Sequence, residues 1–247
     1  MRQQTKLLIT LALCASTLTI QLTQVGTVGT TKVYKVKDTV AVCAKSTLSI
    51  QADGSPRAYH PDGTPPGLDY VSHAGQPGNW IGLATNTGKG SGFPLIQQLE
   101  DPQPSFYVST TALRDSAFAY NDPRGYPDAE KVPYLTVPRN SAQKFGWRIG
   151  DFGTVCTTGG SASCVHGVVG DFSKENVFGR VSIQLAKALG LESDPKKGGV
   201  DDQTVVYVVY ARSATQRTQA IPTAAQIQAT AQKLFEQNHG KEIVAAL

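Results

Sequence analysis

The sequence predicts a mainly β domain of the α+β class, with a short helix near 180–190 and a second helix at the C-terminus. Three observations predict it. Glycine occurs 24 times and proline 14 times in 247 residues, a density of turns that suits strands rather than a helical bundle. KVYKVKDTVAVCAKSTLSI (32–50) breaks into short alternating stretches with the two-residue period of half-buried strands. TVVYVVYA (204–211) is a continuous apolar, β-branched run, the pattern of a central strand buried on both faces.

Taken in order, residues 1–20 have the form of a secretory signal peptide. Arg2 and Lys6 precede an apolar run from Leu7 to about Ala15, too short to span a membrane. Cleavage after LCA, near Ala15, is one reading. Lipid attachment at Cys14 is another, although the preceding LAL lacks the usual small residue. Residues 21–44 read as a linker and N-terminal strand region, because 20–35 are rich in Thr, Gly, Gln and Val. Segment 52–105 is dominated by Gly, Pro, Asp and Asn, which excludes long regular elements and predicts a loop-rich surface or a shaped rim.

SFYVSTTAL (105–113) and VPYLTVPRN (132–140) read as strands. IGDFGTVC (149–156) and CVHGVVGD (164–171) read as a hairpin. A helix is predicted from about Gly179 to Leu189, with Val181, Leu185, Ala188 and Leu189 on its apolar face and Gly190 as its stop. After Pro222 a last helix starts with Thr223 as N-cap and makes 216–247 a C-terminal helical segment.

Composition excludes several functions. With 40% hydrophobic and 17% charged residues the chain suits one compact domain, expected as a monomer. The net charge is +4, two of those charges lie in the leader, and no basic stripe suggests nucleic-acid binding. Cys156 and Cys164 bracket a Gly-Gly turn, so a disulfide between two antiparallel strands is expected in an exported chain. Two buried free thiols are the alternative, and Cys43 is left unpaired or paired elsewhere. No metal-ligand spacing, phosphate loop, GxSxG or HExxH occurs, so no metal and no cofactor is expected.

Seven short motifs follow one another in a particular order: YHPDG, GLDYVSHAGQPGNW, YVSTTAL, PDAEKVPYLTVP, IGDFGTV, HGVVGD and GRVSIQLAKALGL. In this order they resemble the secreted chitosanases of glycoside hydrolase family 75, over about residues 45–240. The resemblance implies a six-stranded double-psi β-barrel core, with the chitosanase-like domain at 45–215. It also implies hydrolysis of β-1,4-linked glucosamine polymers such as chitosan by an inverting route. That chemistry needs one carboxyl group to protonate the leaving oxygen and another to activate water, ~6.5–9.5 Å apart and with separated pKa values.

The family's pair is an Asp and a Glu nine residues later. Asp171 falls on the first position, and Arg180 occupies the second. Arginine cannot exchange protons near neutral pH. A cation in the first turn of a helix is also disfavoured, so an anionic partner is expected for Arg180, with Asp171 the nearest candidate and solvent the alternative. DFSKE stands where the family has Gly-Pro after the Asp, so the joining loop is reshaped.

Glu175 in that loop and Asp151 in IGDFG are candidates for a replacement carboxylate, against a solvated loop residue and a turn former. Asp128 and Glu130 match family residues near the cleft. Trp80 and Tyr107 are candidate sugar platforms. The pairs His60 with Asp62 and Asp69 with His73 read as loop braces or cleft residues, and Trp147 as packing. His166 has no nucleophilic serine to serve. Two functions therefore compete: an exported hydrolase of an amino-sugar polymer with Asp171 as its surviving acid or base, and a degenerate relative that binds glycan without cutting it. Arg180 in place of Glu swings the cleft by two charges away from polycationic chitosan, towards a neutral or anionic glycan such as chitin or peptidoglycan. An exported interaction protein on the same scaffold has no specific sequence support.

Overall fold

The computed structural model describes residues 20–159, 163–174, 176–214 and 220–247. The leader, with Cys14, and Glu175 lie outside the described residues. Ten strands are present: β1 (Leu22–Val28), β2 (Thr31–Val36), β3 (Ala41–Gln51), β4 (Gly75–Gln76), β5 (Asn79–Trp80), β6 (Tyr134–Pro138), β7 (Phe152–Thr157), β8 (Cys164–Ser173), β9 (Arg180–Ser182) and β10 (Gly199–Tyr210). Helices α1 (Arg139–Phe145), α2 (Ile183–Ala188), α3 (Ala224–Gln237) and α4 (Gly240–Ala246) accompany them. No helix among the described residues is long and apolar enough to cross a membrane.

Six strands close a barrel in the order β3–β10–β7–β8–β6–β9, with β9 returning to pair with β3. The β3–β9 and β6–β8 pairs are parallel, and the other barrel pairs are antiparallel. The expected closed six-stranded core is therefore present. The stretch read as a linker is instead a hairpin. β1 and β2 extend the sheet beyond β3, with Val33 opposite Ala44, and bury Val28, Val33 and Val36.

β10 shows why its sequence is apolar at every position. Val205, Tyr207 and Val209 point into the barrel with Leu135, Val155, Val169 and Val181. Val206, Val208 and Tyr210 point outward, under Ile227, Ala231 and Phe235 of α3. Both faces of the strand are thus core, and burying each such side chain contributes roughly 1.5–3 kcal/mol. The C-terminal helix begins as expected: the Thr223 hydroxyl accepts the backbone N–H of Gln226, and the Gln226 side chain accepts that of Thr223.

Two elements differ from the sequence reading. SFYVSTTAL makes only isolated bridges, Tyr107 to Ile96 and Ser109 to Leu83, because its neighbours are breaker-rich loops that offer no continuous ladder. The helix expected from Gly179 starts only at Ile183. Arg180–Ser182 give their backbone to β3 as the strand that closes the barrel, and Ser182 then caps α2 through the N–H of Leu185. That later start leaves Ala188 exposed and buries Ala186 instead.

β7 and β8 form the expected hairpin and set Cys156 opposite Cys164, where the two are joined by a disulfide. Cys43 is a buried free thiol whose pKa burial pushes up to about 12. Trp147 is core, between Phe145 and Phe178.

Candidate active site

The site is built where β3 leaves the barrel. Gln51 and Asp53, two residues apart, point to the same side of the extended chain as it enters the loop region. Both are buried. The Gln51 Nε2 donates one hydrogen to Asp53 Oδ2 at 2.6 Å and the other to Asp171 Oδ2 at 2.8 Å. Asp171 reaches this point from β8, just past the last residue that β8 pairs with β7. One amide nitrogen thus ties together carboxylates that are 118 positions apart in the chain. The two oxygens lie no further apart than about twice a hydrogen-bond length.

The remaining donors differ between the two acids. Asp171 Oδ1 accepts the backbone N–H groups of Ala112 at 2.9 Å and Phe172 at 2.8 Å. Asp53 Oδ1 accepts only the hydroxyl of Tyr59, at 2.6 Å. Gly82 makes room for it, because a Cβ there would come within 2.7 Å of that oxygen. Tyr134 holds the Asp53 backbone carbonyl through its own hydroxyl.

Burial and then the neighbouring Asp171 charge push the Asp53 pKa from 3.8 up to about 7, with Arg180 and the Tyr59 hydroxyl acting the other way. Burial also raises Asp171, but two backbone N–H groups, Gln51 and Arg180 all favour its ionised form. Like charges this close do not both ionise readily, so the pair favours a state with one proton, and the donor pattern favours Asp53 as its site.

Asp53 and Asp171 open into a cavity of about 410 Å³. Arg139, at the start of α1, Lys174 and Arg180 supply its cations, and Phe172, Ile81 and His73 complete the wall. Arg139 lies over the Phe172 ring at 4.3 Å. His73 is held by buried Asp69 at 2.8 Å. The Asp69–His73 pair therefore braces a cavity wall, which joins its two sequence readings.

Arg180 does face this cavity, but not as expected. It lies on β9, opposite Ser49, and not in a helical turn, so the helix-dipole argument does not apply. Among the described residues it forms no ion pair with Asp171 or any other carboxylate. It acts on Asp53 and Asp171 through space.

The other sequence candidates are placed elsewhere, and none of them lines this cavity. Asp151 is fully buried, with its carboxylate filled by the backbone N–H groups of Arg148, Arg212 and Ala214. Glu130 is gripped by Arg57 and Ser55. Asp128 pairs with Lys131 and accepts the N–H of Glu130. Trp80 and Tyr107 pack against the small cluster around Tyr59 and Leu83. These five side chains already have structural partners. His60 accepts the N–H of Asp62 and packs edge-on against Phe106, as a loop brace. His166 bonds to Thr154 and packs on Phe235.

Gln51, Asp53, Arg139 and Lys174 were not singled out in the sequence. The signal available was the i, i+2 polar pair at the end of a strand whose alternate positions, Leu48 and Ile50, are apolar; it was obscured because ADGSP also reads as a turn. No protein-family model matches the chain, and no curated protein matches it either.

Proposed function

We propose that this chain is an exported glycoside hydrolase acting on a β-1,4-linked amino-sugar polymer, with Asp53 as the proton donor and Asp171 as its ionised partner. The observation that carries the reading is the Asp53–Gln51–Asp171 bridge at the cavity wall, in which two neighbouring carboxyl groups have different hydrogen-bond donors. A neutral Asp53 is positioned to protonate a glycosidic oxygen, and an anionic Asp171 to stabilise the positive charge that develops on the sugar. The Asp53–Asp171 separation is shorter than the ~6.5–9.5 Å of an inverting pair and closer to the ~5–5.5 Å of a retaining one. The reading therefore keeps the two-carboxylate mechanism and the family resemblance but not the inverting geometry. The disulfide supports export, since such bonds persist in oxidising compartments.

The test is reducing-end release from glycol chitin and from partly acetylated chitosan by the mature protein, alongside Asp53→Asn and Asp171→Asn. Each variant is expected to lose about a thousandfold in rate while remaining folded. A fully active Asp53→Asn protein would remove Asp53 from the mechanism. A second reading is favoured by one observation: Arg180 stands where the resemblance puts a catalytic acid. On that reading the cavity binds glycan without cutting it, and folded wild-type protein binds both polymers but releases no ends.

A further inference from the structure

The cavity at Asp53 and Asp171 does not stand alone. On one side it shares His73, Lys174 and Arg180 with a cavity of about 280 Å³. On the other it shares Arg139 and Phe172 with one of about 460 Å³, which in turn shares Gln143, Gly146 and Arg212 with one of about 430 Å³. Shared wall residues set these four spaces side by side as a track, with the acid pair inside it rather than at its end.

The lining is strongly one-sided in charge. Beyond Arg139, Lys174 and Arg180, the track carries Arg148 and Arg212 in its third space and Lys35 and Lys144 in its fourth. Among the described residues its only carboxylates are Asp53, which is buried, and Asp171, which is half-buried. None of the seven cations is in an ion pair among the described residues. Arg57, Arg124, Lys131 and Lys196, none of which lines the track, each grip a carboxylate. Cations left without carboxylates along a groove are available to a ligand that brings its own negative charge.

We infer that the polymer this track accepts is a β-1,4-linked amino-sugar glycan bearing carboxylate groups along its length. The inference rests on the hydrolase reading for the backbone of the polymer, and on the cation lining for its charge. The charge argument runs against chitosan, whose ammonium groups would face seven cations. Nucleic acid is the less suited polyanion, because Arg139 already lies over Phe172, the aromatic ring in the wall of the central cavity, where a base would stack.

Three polymers on related backbones separate the possibilities: carboxymethyl-chitin, neutral glycol chitin and cationic chitosan. Binding is measured by affinity electrophoresis with Asp171→Asn protein, so that no cleavage is needed, with a single-stranded oligonucleotide in parallel. Carboxymethyl-chitin is expected to bind about tenfold or more tighter than glycol chitin and to weaken as salt rises, with chitosan weakest. The Arg148→Glu/Arg212→Glu double variant, with its fold checked by thermal melting, is expected to lose most of that preference. Equal binding of the three polymers, or tighter binding of the oligonucleotide, would overturn the inference. Cleavage of glycol chitin by the wild-type protein together with equal binding would overturn it while leaving the hydrolase reading intact. Tight carboxymethyl-chitin binding without cleavage of any polymer would do the reverse.

Discussion

Asp151 and Asp53 are both buried aspartates at the ends of barrel strands, and burial raises the pKa of each. Their surroundings differ in kind. Asp151 Oδ1 takes the N–H of Ala214 and Oδ2 those of Arg148 and Arg212, so it ties the turn before β7 to the chain leaving β10 with backbone donors alone. Among the described residues Asp53 has no backbone donor on its carboxylate. It is held by Gln51 and Tyr59, stands beside a second carboxylate, and opens to a cavity. Three backbone donors favour the charged form of Asp151, whereas burial beside a like charge with side-chain donors alone favours the protonated form of Asp53. Burial alone does not distinguish these two acids; the donors, the neighbouring charge and the opening to a cavity do.

The comparison breaks most directly at Asp151. Asp151→Ala strands three backbone N–H groups around an emptied site, and a loss of about 3 kcal/mol in unfolding free energy is expected. Urea unfolding measures it. A loss below about 1 kcal/mol would mean that water replaces the carboxylate without difficulty and that Asp151 is not a structural pin.

Asp53 is expected to behave in the opposite sense. Its folded pKa of about 7 lies above the 3.8 of an unperturbed Asp, so the folded state holds a proton that the unfolded state has released. The stability it contributes is present below about pH 4 and is lost as the pH rises towards 7, at up to about 1.4 kcal/mol per pH unit. Asp53→Asn keeps an acceptor for Gln51 but cannot ionise. The difference between the variant and wild-type stability curves should therefore grow in favour of the variant from about pH 4 and flatten above 7. A difference that does not change with pH would show that Asp53 ionises in the folded protein as it does in the unfolded one.

These two residues also show what the sequence could reveal. The doubly buried β10, the β7–β8 hairpin with its disulfide and the Thr223 cap were legible because each is written in adjacent residues. β9 was not, because its three residues become a strand only by pairing with Ser49–Gln51, about 130 positions earlier. Asp171 and Arg180 were placed in one site by resemblance, and they do line one cavity. Asp53 escaped because what makes it unusual comes from Gln51, Tyr59, Gly82 and Asp171 together. In one dimension ADGSP is only a turn. Trp80 illustrates the converse: an aromatic among loop breakers suggested an open platform, and the loops fold back so that it packs, half-buried, against a small core of their own.

The smallest expected effect concerns Arg180, which links the acid pair to the charge of the track. Its guanidinium lowers the pKa of Asp53 and Asp171 without pairing with either, so replacing it reverses one charge and leaves no broken ion pair behind. Arg180→Glu should raise the Asp53 pKa further and make the central cavity more negative by two charges. Cleavage of partly acetylated chitosan is expected to rise about fivefold, equivalent to about 1 kcal/mol, while that of carboxymethyl-chitin falls. The ratio of kcat/KM for the two polymers measures the change, and because the same variant is compared on both, a general loss of activity cancels. An unchanged ratio in folded protein would show that Arg180 does not set the charge preference, and the selection would then lie with Arg139, Lys174 and the cations further along the track. A ratio shifted towards chitosan would mean that a single position in β9 decides which charge of glycan reaches the Asp53–Asp171 pair.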